Sequence, residues 1–276
     1  MRLVSNVSNA TNEIENLMKT KSTYSLALLV ATGALLVTSA PLRGSDTDDR
    51  IESSANKSYV FKTYLKDDSI DTESKNGVVK LTGTVAAESH KSLAENTVAG
   101  LPGVKSVDNR LKIKGESPAK HSDTWLGVQV KTALLFHRNV SASDTEVLVK
   151  DGIVTLRGSA NSLAQRELTT EYAQDVEGVK AVKNEMTTAT TTVKPVDTLG
   201  EKIDDASITA QVKMSLLSHR STSALKTKVE TKDGVVTVSG IAKNAAEKSL
   251  VTKLVNDIHG VNSVINLMTI ALLIAK

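Results

Sequence analysis

Five histidines, His90, His121, His137, His219 and His259, are the side chains best suited to hold a metal or move a proton, and no cysteine accompanies them. No two stand four residues apart with a carboxylate between them, the spacing that sets two imidazoles and a base on one helix face. His137 and His219 occupy equivalent places at the end of a predicted helix, where the carbonyl end of the dipole favours a cationic side chain. That reading accounts for both without a metal. The carboxylate pairs Asp67-Asp68 and Asp204-Asp205 fall in a loop and at a helix start, where the positive end of the dipole favours negative charge. No nucleophile elbow, phosphate-binding loop or dinucleotide fingerprint is present, and the glycines recur where turns need them. The expectation is a protein that is not an enzyme, holds no metal or cofactor, and acts by binding.

The residues suited to binding lie on one helix. With Leu126, Val130 and Leu134 as its core stripe, the other side carries Trp125, Val128, Leu135 and Phe136, flanked by Lys131 and Arg138. A helix apolar on two sides must be covered on both, by a neighbouring module, a second subunit or lipid. An indole beside cations also suits a membrane interface, the ring at headgroup depth and the cations near phosphate. Trp125, Val128, Lys131, Leu135, Phe136 and Arg138 are therefore the candidate lipid- or partner-binding residues, with packing against another module as the competing reading.

The elements that position this helix come in triplicate. NGVVKLTG at 76–83, DGIVTLRG at 151–158 and DGVVTVSG at 233–240 are each followed, 20 residues after their last glycine, by GVKSVDNRL, GVKAVKNEM or GVNSVINLM. Counting back 26, 22 and 18 residues from Gly77, Gly152 and Gly234 gives Ile51, Ala55 and Tyr59, then Leu126, Val130 and Leu134, then Ile208, Val212 and Leu216. This i, i+4, i+8 stripe predicts an opening amphipathic helix. Asn76-Gly77, Asp151-Gly152 and Asp233-Gly234 are pairs favoured by type I′ turns, which predicts a hairpin. Ser162 with Gln165, and Asn244 with Glu247, are spaced as capping boxes for a second helix, whereas the first repeat has Ala87 there. Gly103, Gly178 and Gly260 are expected to stop that helix, and a last strand follows.

The predicted class is α+β: three tandem small modules at residues 48–114, 123–188 and 204–276. Each runs helix-strand-strand-helix-strand, with two helices on one face of a three-stranded mixed sheet. Residues 115–122 and the longer stretch 187–201 read as linkers, so the third module is expected to stand further away. The apolar run at 270–274 is too short to span a bilayer. It is expected to extend the last strand into the core, although an edge strand can also pair with another chain.

Each unit resembles a BON domain. The resemblance covers about residues 48–276 and rests on the hairpin-turn glycine, the glycine after the second strand and the Gly-Val-x-x-Val opening the last strand, present three times. It implies binding to phospholipid membrane surfaces or an envelope protein, a protective role in osmotic or envelope stress, and no catalysis. The chain departs from the usual two-unit arrangement by its third unit, and it has no lipobox cysteine.

Residues 25–37 (SLALLVATGALLV), preceded by Lys19 and Lys21 and followed by small residues, read as the apolar region of an export signal over residues 1–40. The run is shorter than the roughly 20 residues a membrane-spanning helix needs. With the resemblance, this leads to an expected periplasmic location. The net charge of +3 lacks the concentrated positive field that nucleic acid selects, and no GxxG clamp joins the helices, so nucleic acid is not an expected partner. Aromatic content of 3% leaves cores of Val, Leu, Ile and Ala, which suits small modules. The alternative to membrane binding is an assembly or scaffold protein whose apolar helix faces join modules or subunits, with self-association possible.

Overall fold

In the computed structural model the described residues are 44–115, 118–188, 202–223 and 227–271. The expected export segment lies outside them. The first module comprises α1 (Gly44–Lys57), a short α2 (Tyr59–Thr63), β1 (Ser69–Lys75), β2 (Val78–Val85), α3 (Glu88–Ala99), β3 (Ser106–Asn109) and β4 (Lys112–Ile113). The second runs α4 (Asp123–Phe136), β5 (Thr145–Lys150), β6 (Ile153–Ala160), α5 (Leu163–Gln174), β7 (Ala181–Asn184) and β8 (Thr187–Thr188). The third runs α6 (Asp205–Ser218), β9 (Thr227–Lys232), β10 (Val235–Ala242), α7 (Ala245–Asn256), β11 (Ser263–Asn266) and β12 (Thr269–Ile270).

Each module is α+β with a mixed sheet. The middle strand pairs antiparallel with the strand before it and parallel with the one after it, as in Lys150↔Ile153 and Val154↔Val182. The tight turn fixes that register: Asp151 and Gly152 have φ of 54° and 80°, the left-handed pair a type I′ turn requires. Alternation then sends Val154, Leu156 and Ala160 inward to full burial beneath the helices.

A device common to all three modules ties the opening helix to the hairpin tip. The carboxylate of Asp48 accepts the N–H groups of Asn76 and Gly77 at 2.7 and 2.9 Å. Asp123 does the same for Asp151 and Gly152 at 2.7 and 2.8 Å, and Asp205 for Asp233 and Gly234 at 2.8 and 2.9 Å. These bonds, with one from Ser74, hold the Asp48 carboxyl below its ordinary range against the opposing effect of burial.

Several expectations are revised. In the first module the helix breaks at Ser58, whose Oγ donates to the Ala55 carbonyl at 2.7 Å and accepts from the Phe61 N–H at 3.4 Å. Tyr59 thus starts a separate turn instead of completing the stripe. The second helices end before the expected glycines, at caps Gly100, Asp175 and Asp257. Gly260 then takes φ 85°, and a Cβ there would lie 2.9 Å from the Ile203 Cβ and 3.0 Å from the Ile208 side chain, so both the left-handed backbone and the segment opening the first helix demand glycine. Ile270 continues the last strand as expected but is 48% exposed, and residues 272–276 lie outside the described ones.

The third module does not stand apart. One hydrophobic core runs through the first and third modules, joining Val79, Leu81 and Leu93 to Ile208, Val212 and Val238, and it takes in Phe136 from the second. The rest of the second module has its own core around Leu126, Val154 and Leu156, and Leu135 and Tyr172 pack against both. Helix α6 is buried over most of its circumference, with Ala206, Ser207, Ala210, Gln211, Val212, Met214 and Ser215 all covered. Its small residues let α3 approach closely, the backbone of Gly100 lying against Ala206.

Candidate functional site

The predicted binding residues sit on α4, and the structure divides them between open clefts and a closed junction. Ser122 caps the helix by accepting from the Trp125 N–H at 3.2 Å. The Trp125 ring is half-buried, edge-on to His121 at 5.1 Å between centroids. It lines a cleft of about 500 Å³ bounded by Glu88 and Ser92 of α3, Gln129, and Met214 and Leu217 of α6. Leu217 is 50% exposed there.

A second cleft of about 630 Å³ opens on the other side of α4, between its Gly127, Val128, Lys131 and Leu135, strand β5, and Ala86, Ala87 and His90 of the first module. Leu148 contributes a side chain 41% exposed. The Lys131 ammonium is anchored at one end, donating to the carbonyls of Ala142 at 2.5 Å and Thr145 at 2.7 Å. Burial lowers its pKa, opposed by the Asp144 charge. Two of its three N–H groups are thereby used, leaving one for an acceptor in the cleft.

Across this cleft the first module compensates for the missing cap at Ala87. Asp68 accepts from the Ala86 N–H at 2.7 Å and contacts the His90 Nδ1 at 2.6 Å. The cleft therefore combines aliphatic walls with Lys131, His90 and the acidic Asp123 and Glu146.

Phe136 and Arg138 belong to the junction. Phe136 is 1% exposed, and its ring meets Tyr64 edge-on at 5.4 Å. Arg138 donates to the carbonyls of Asn256, Ile258 and Val261 at 2.6 to 2.8 Å, gripping the end of α7. Backbone bonds run both ways beside it, from Arg138 N to Asp257 O and from His259 N to Phe136 O, each 3.1 Å. The mirror-image contact joins the end of α6 to the end of α5: Arg220 N bonds Asp175 O at 3.0 Å and Glu177 N bonds Ser218 O at 3.1 Å.

The second and third modules are thus joined by a pseudo-twofold exchange in which a His-Arg pair faces an aspartate. His137 Nδ1 lies 3.4 Å from Asp257, and His219 Nε2 lies 3.3 Å from Asp175. His137 stacks on Tyr172 at 3.7 Å, and Asp257 accepts hydrogen bonds from Tyr172 and Asn139. Burial opposes ionisation of Asp257, yet the contacts of His137 and Tyr172 and the Arg138 charge hold its pKa below the ordinary range. Burial lowers the pKa of His219 and His259, against the attraction of Asp175 and Asp257 respectively.

The first module enters through polar contacts missed from sequence. Asp204 caps α6 at Ser207 and also accepts the Tyr59 N–H at 2.8 Å, while the Tyr64 hydroxyl donates toward Leu135 O at 3.1 Å and Gln211 Oε1 at 3.2 Å. A tyrosine at the end of a broken helix gave no periodic signal. Asp48, Asp123 and Asp205 were missed as well, although each precedes the turn glycine by 29 residues, a constant spacing that could have found them.

The repeated frame of helix, Asp-locked hairpin, helix and strand is matched by the BON domain family model at residues 47–115, 122–190 and 204–271. The chain belongs to the BON-domain family. It is 33% identical over 144 residues to the osmotically-inducible protein Y of Escherichia coli (strain K12), covering 52% of this chain and 70% of that one. It is 30% identical over 159 residues to the outer membrane lipoprotein DolP of Haemophilus influenzae, covering 55% of this chain and 80% of that one. It is also 30% identical over 144 residues to the 21 kDa hemolysin of Actinobacillus pleuropneumoniae, covering 50% and 73% respectively. Among the described residues of these three BON modules, no cluster of His, Asp and Glu is arranged to hold a metal ion, and no helix is long and apolar enough to cross a membrane.

Proposed function

We propose that this BON protein is exported to the periplasm, has no catalytic activity, and binds phospholipid or envelope surfaces through the clefts along α4, protecting the envelope under osmotic stress. The observation that carries the reading is the half-buried state of Trp125 and Val128 on either side of one helix, which the cores of all three modules leave accessible. The names of the osmotically-inducible and outer membrane relatives support the setting. Lys131, with one free N–H, and the exposed Lys120 beside Trp125 give the surface a cationic contribution for anionic headgroups.

Burying an aliphatic or aromatic side chain contributes roughly 1.5 to 3 kcal/mol before association costs. The double change Trp125→Ser with Val128→Ser should therefore weaken sedimentation with anionic liposomes about tenfold or more while the melting temperature stays close to wild type. Undiminished binding by the folded variant would remove this face from the account.

A further inference from the structure

The outer edge of β5 differs from its counterparts in the other two modules. The register Lys150↔Ile153 across the tight turn sets the N–H and C=O groups of Val147 and Val149 on the side of β5 away from β6. Ser74 stands in the first module where Val149 stands in the second, and there the outward N–H is taken: the Glu52 carboxylate accepts it at 2.7 Å. Glu52, Gly127 and Thr209 each follow the hairpin-locking aspartate of their module by four residues. Thr209 also reaches the edge of its own sheet, its hydroxyl bonding the Thr231 hydroxyl at 2.7 Å. Gly127 has no side chain to offer, and the outward groups of Val147 and Val149 bond to none of the described residues. Both residues line the cleft of about 630 Å³ between α4 and the first module.

Two outward N–H and C=O pairs, two residues apart, are matched by an extended peptide, which pairs them all where a lipid chain pairs none. The open stretch is short because Thr145 closes it: its N–H bonds Ala142 O at 3.4 Å and its C=O accepts from Lys131 Nζ at 2.7 Å. A peptide antiparallel to β5 therefore pairs at the two residues opposite Val149 and Val147 and comes to Lys131 at its C-terminal side. The N–H of Lys131 that Ala142 and Thr145 leave free is there for a terminal carboxylate. A peptide running the other way would bring that carboxylate to the hairpin end, where Asp123 stands. Side chains opposite Val147 and Val149 fall on the α4 side with Val128 and Leu135, and this calls for aliphatic groups at those alternate positions. We propose that β5 binds the C-terminal tail of another polypeptide as an added antiparallel strand, with its terminal carboxylate at Lys131.

This goes beyond the membrane reading, whose Trp125 lies in the cleft on the other side of α4, and the test contains no vesicle, so either can fail alone. The probes are N-terminally fluorescein-labelled pentapeptides alternating Val or Leu with Thr, in both phases, each with a free and an amidated C-terminus. The full chain is titrated into them and fluorescence anisotropy recorded. Peptides with the aliphatic residue second from a free C-terminus should bind, and amidation should weaken them about tenfold through loss of a charge-assisted bond. Gly127→Glu supplies the acceptor that Glu52 supplies in the first module, and a Cβ there meets only the Val149 Cγ2, at an ordinary 3.6 Å. It should weaken binding about tenfold or more without lowering the melting temperature. Gly127→Thr, the residue of the third module, should act in the same direction and serves if Gly127→Glu does not fold. Failure of every peptide to bind, equal binding of free and amidated forms, or undiminished binding by the folded variants would overturn the proposal. Loss of vesicle sedimentation by the Gly127 variants, with no peptide bound by wild type, would assign the cleft wholly to lipid and equally overturn it.

Discussion

Asp123 holds two backbone N–H groups of a hairpin tip with one carboxylate. Charge-assisted bonds of this kind contribute more than neutral ones, so Asp123→Ala should cost about 1 to 3 kcal/mol in chemical denaturation and Asp123→Asn somewhat less. A change within error would show that water replaces the carboxylate freely. The buried His219 and the half-buried His259 give a second expectation at this scale. His219 and His259 have folded pKa values below the ordinary imidazole value, so the unfolded chain binds their protons more readily. Their contribution is complete above about pH 6.5 and is lost as pH falls below it towards the folded values. Asp257, lowered likewise, adds its own loss further into acid. The melting temperature should fall between about pH 7.5 and about pH 5, and His219→Asn with His259→Asn should flatten that fall. An acid profile unchanged in the double variant would contradict the assignment.

At the scale of elements, the repeats were legible because turn chemistry and apolar periodicity are local. Asn76-Gly77 and its two counterparts state the hairpins, and Ser162 and Asn244 state the second helices by their side-chain caps. What lies between modules was not legible, because a residue facing a neighbour looks the same as one facing its own core. Helix α6 shows this: its second buried face is made of Ala206, Ser207, Ala210, Gln211 and Ser215, which carry no apolar signal. Helix α4 did announce two apolar sides, but the same pattern served both a junction at Phe136 and open clefts at Trp125 and Val128. Phe136→Ala should remove packing shared by all three modules and cost about 3 to 5 kcal/mol of stability. A loss well under that, by thermal or denaturant unfolding, would mean that the junction closes around the vacancy.

For the whole molecule, the shared core and the exchanged helix ends make the three BON modules one structural unit in which α4 is held from both sides. Trp125 packs half-buried against the core of the second module and lines one of the clefts along α4. Trp125 is the chain's single tryptophan, so its fluorescence reports this site alone. The most direct measurement is Trp125 emission of the full chain titrated with anionic and neutral vesicles, repeated with lipids brominated along their acyl chains. Binding through α4 predicts a blue shift with anionic vesicles, weaker at high salt, and quenching by the brominated lipid. Emission that neither shifts nor is quenched, while the protein sediments with the vesicles, would contradict the claim that this helix is the membrane-binding surface.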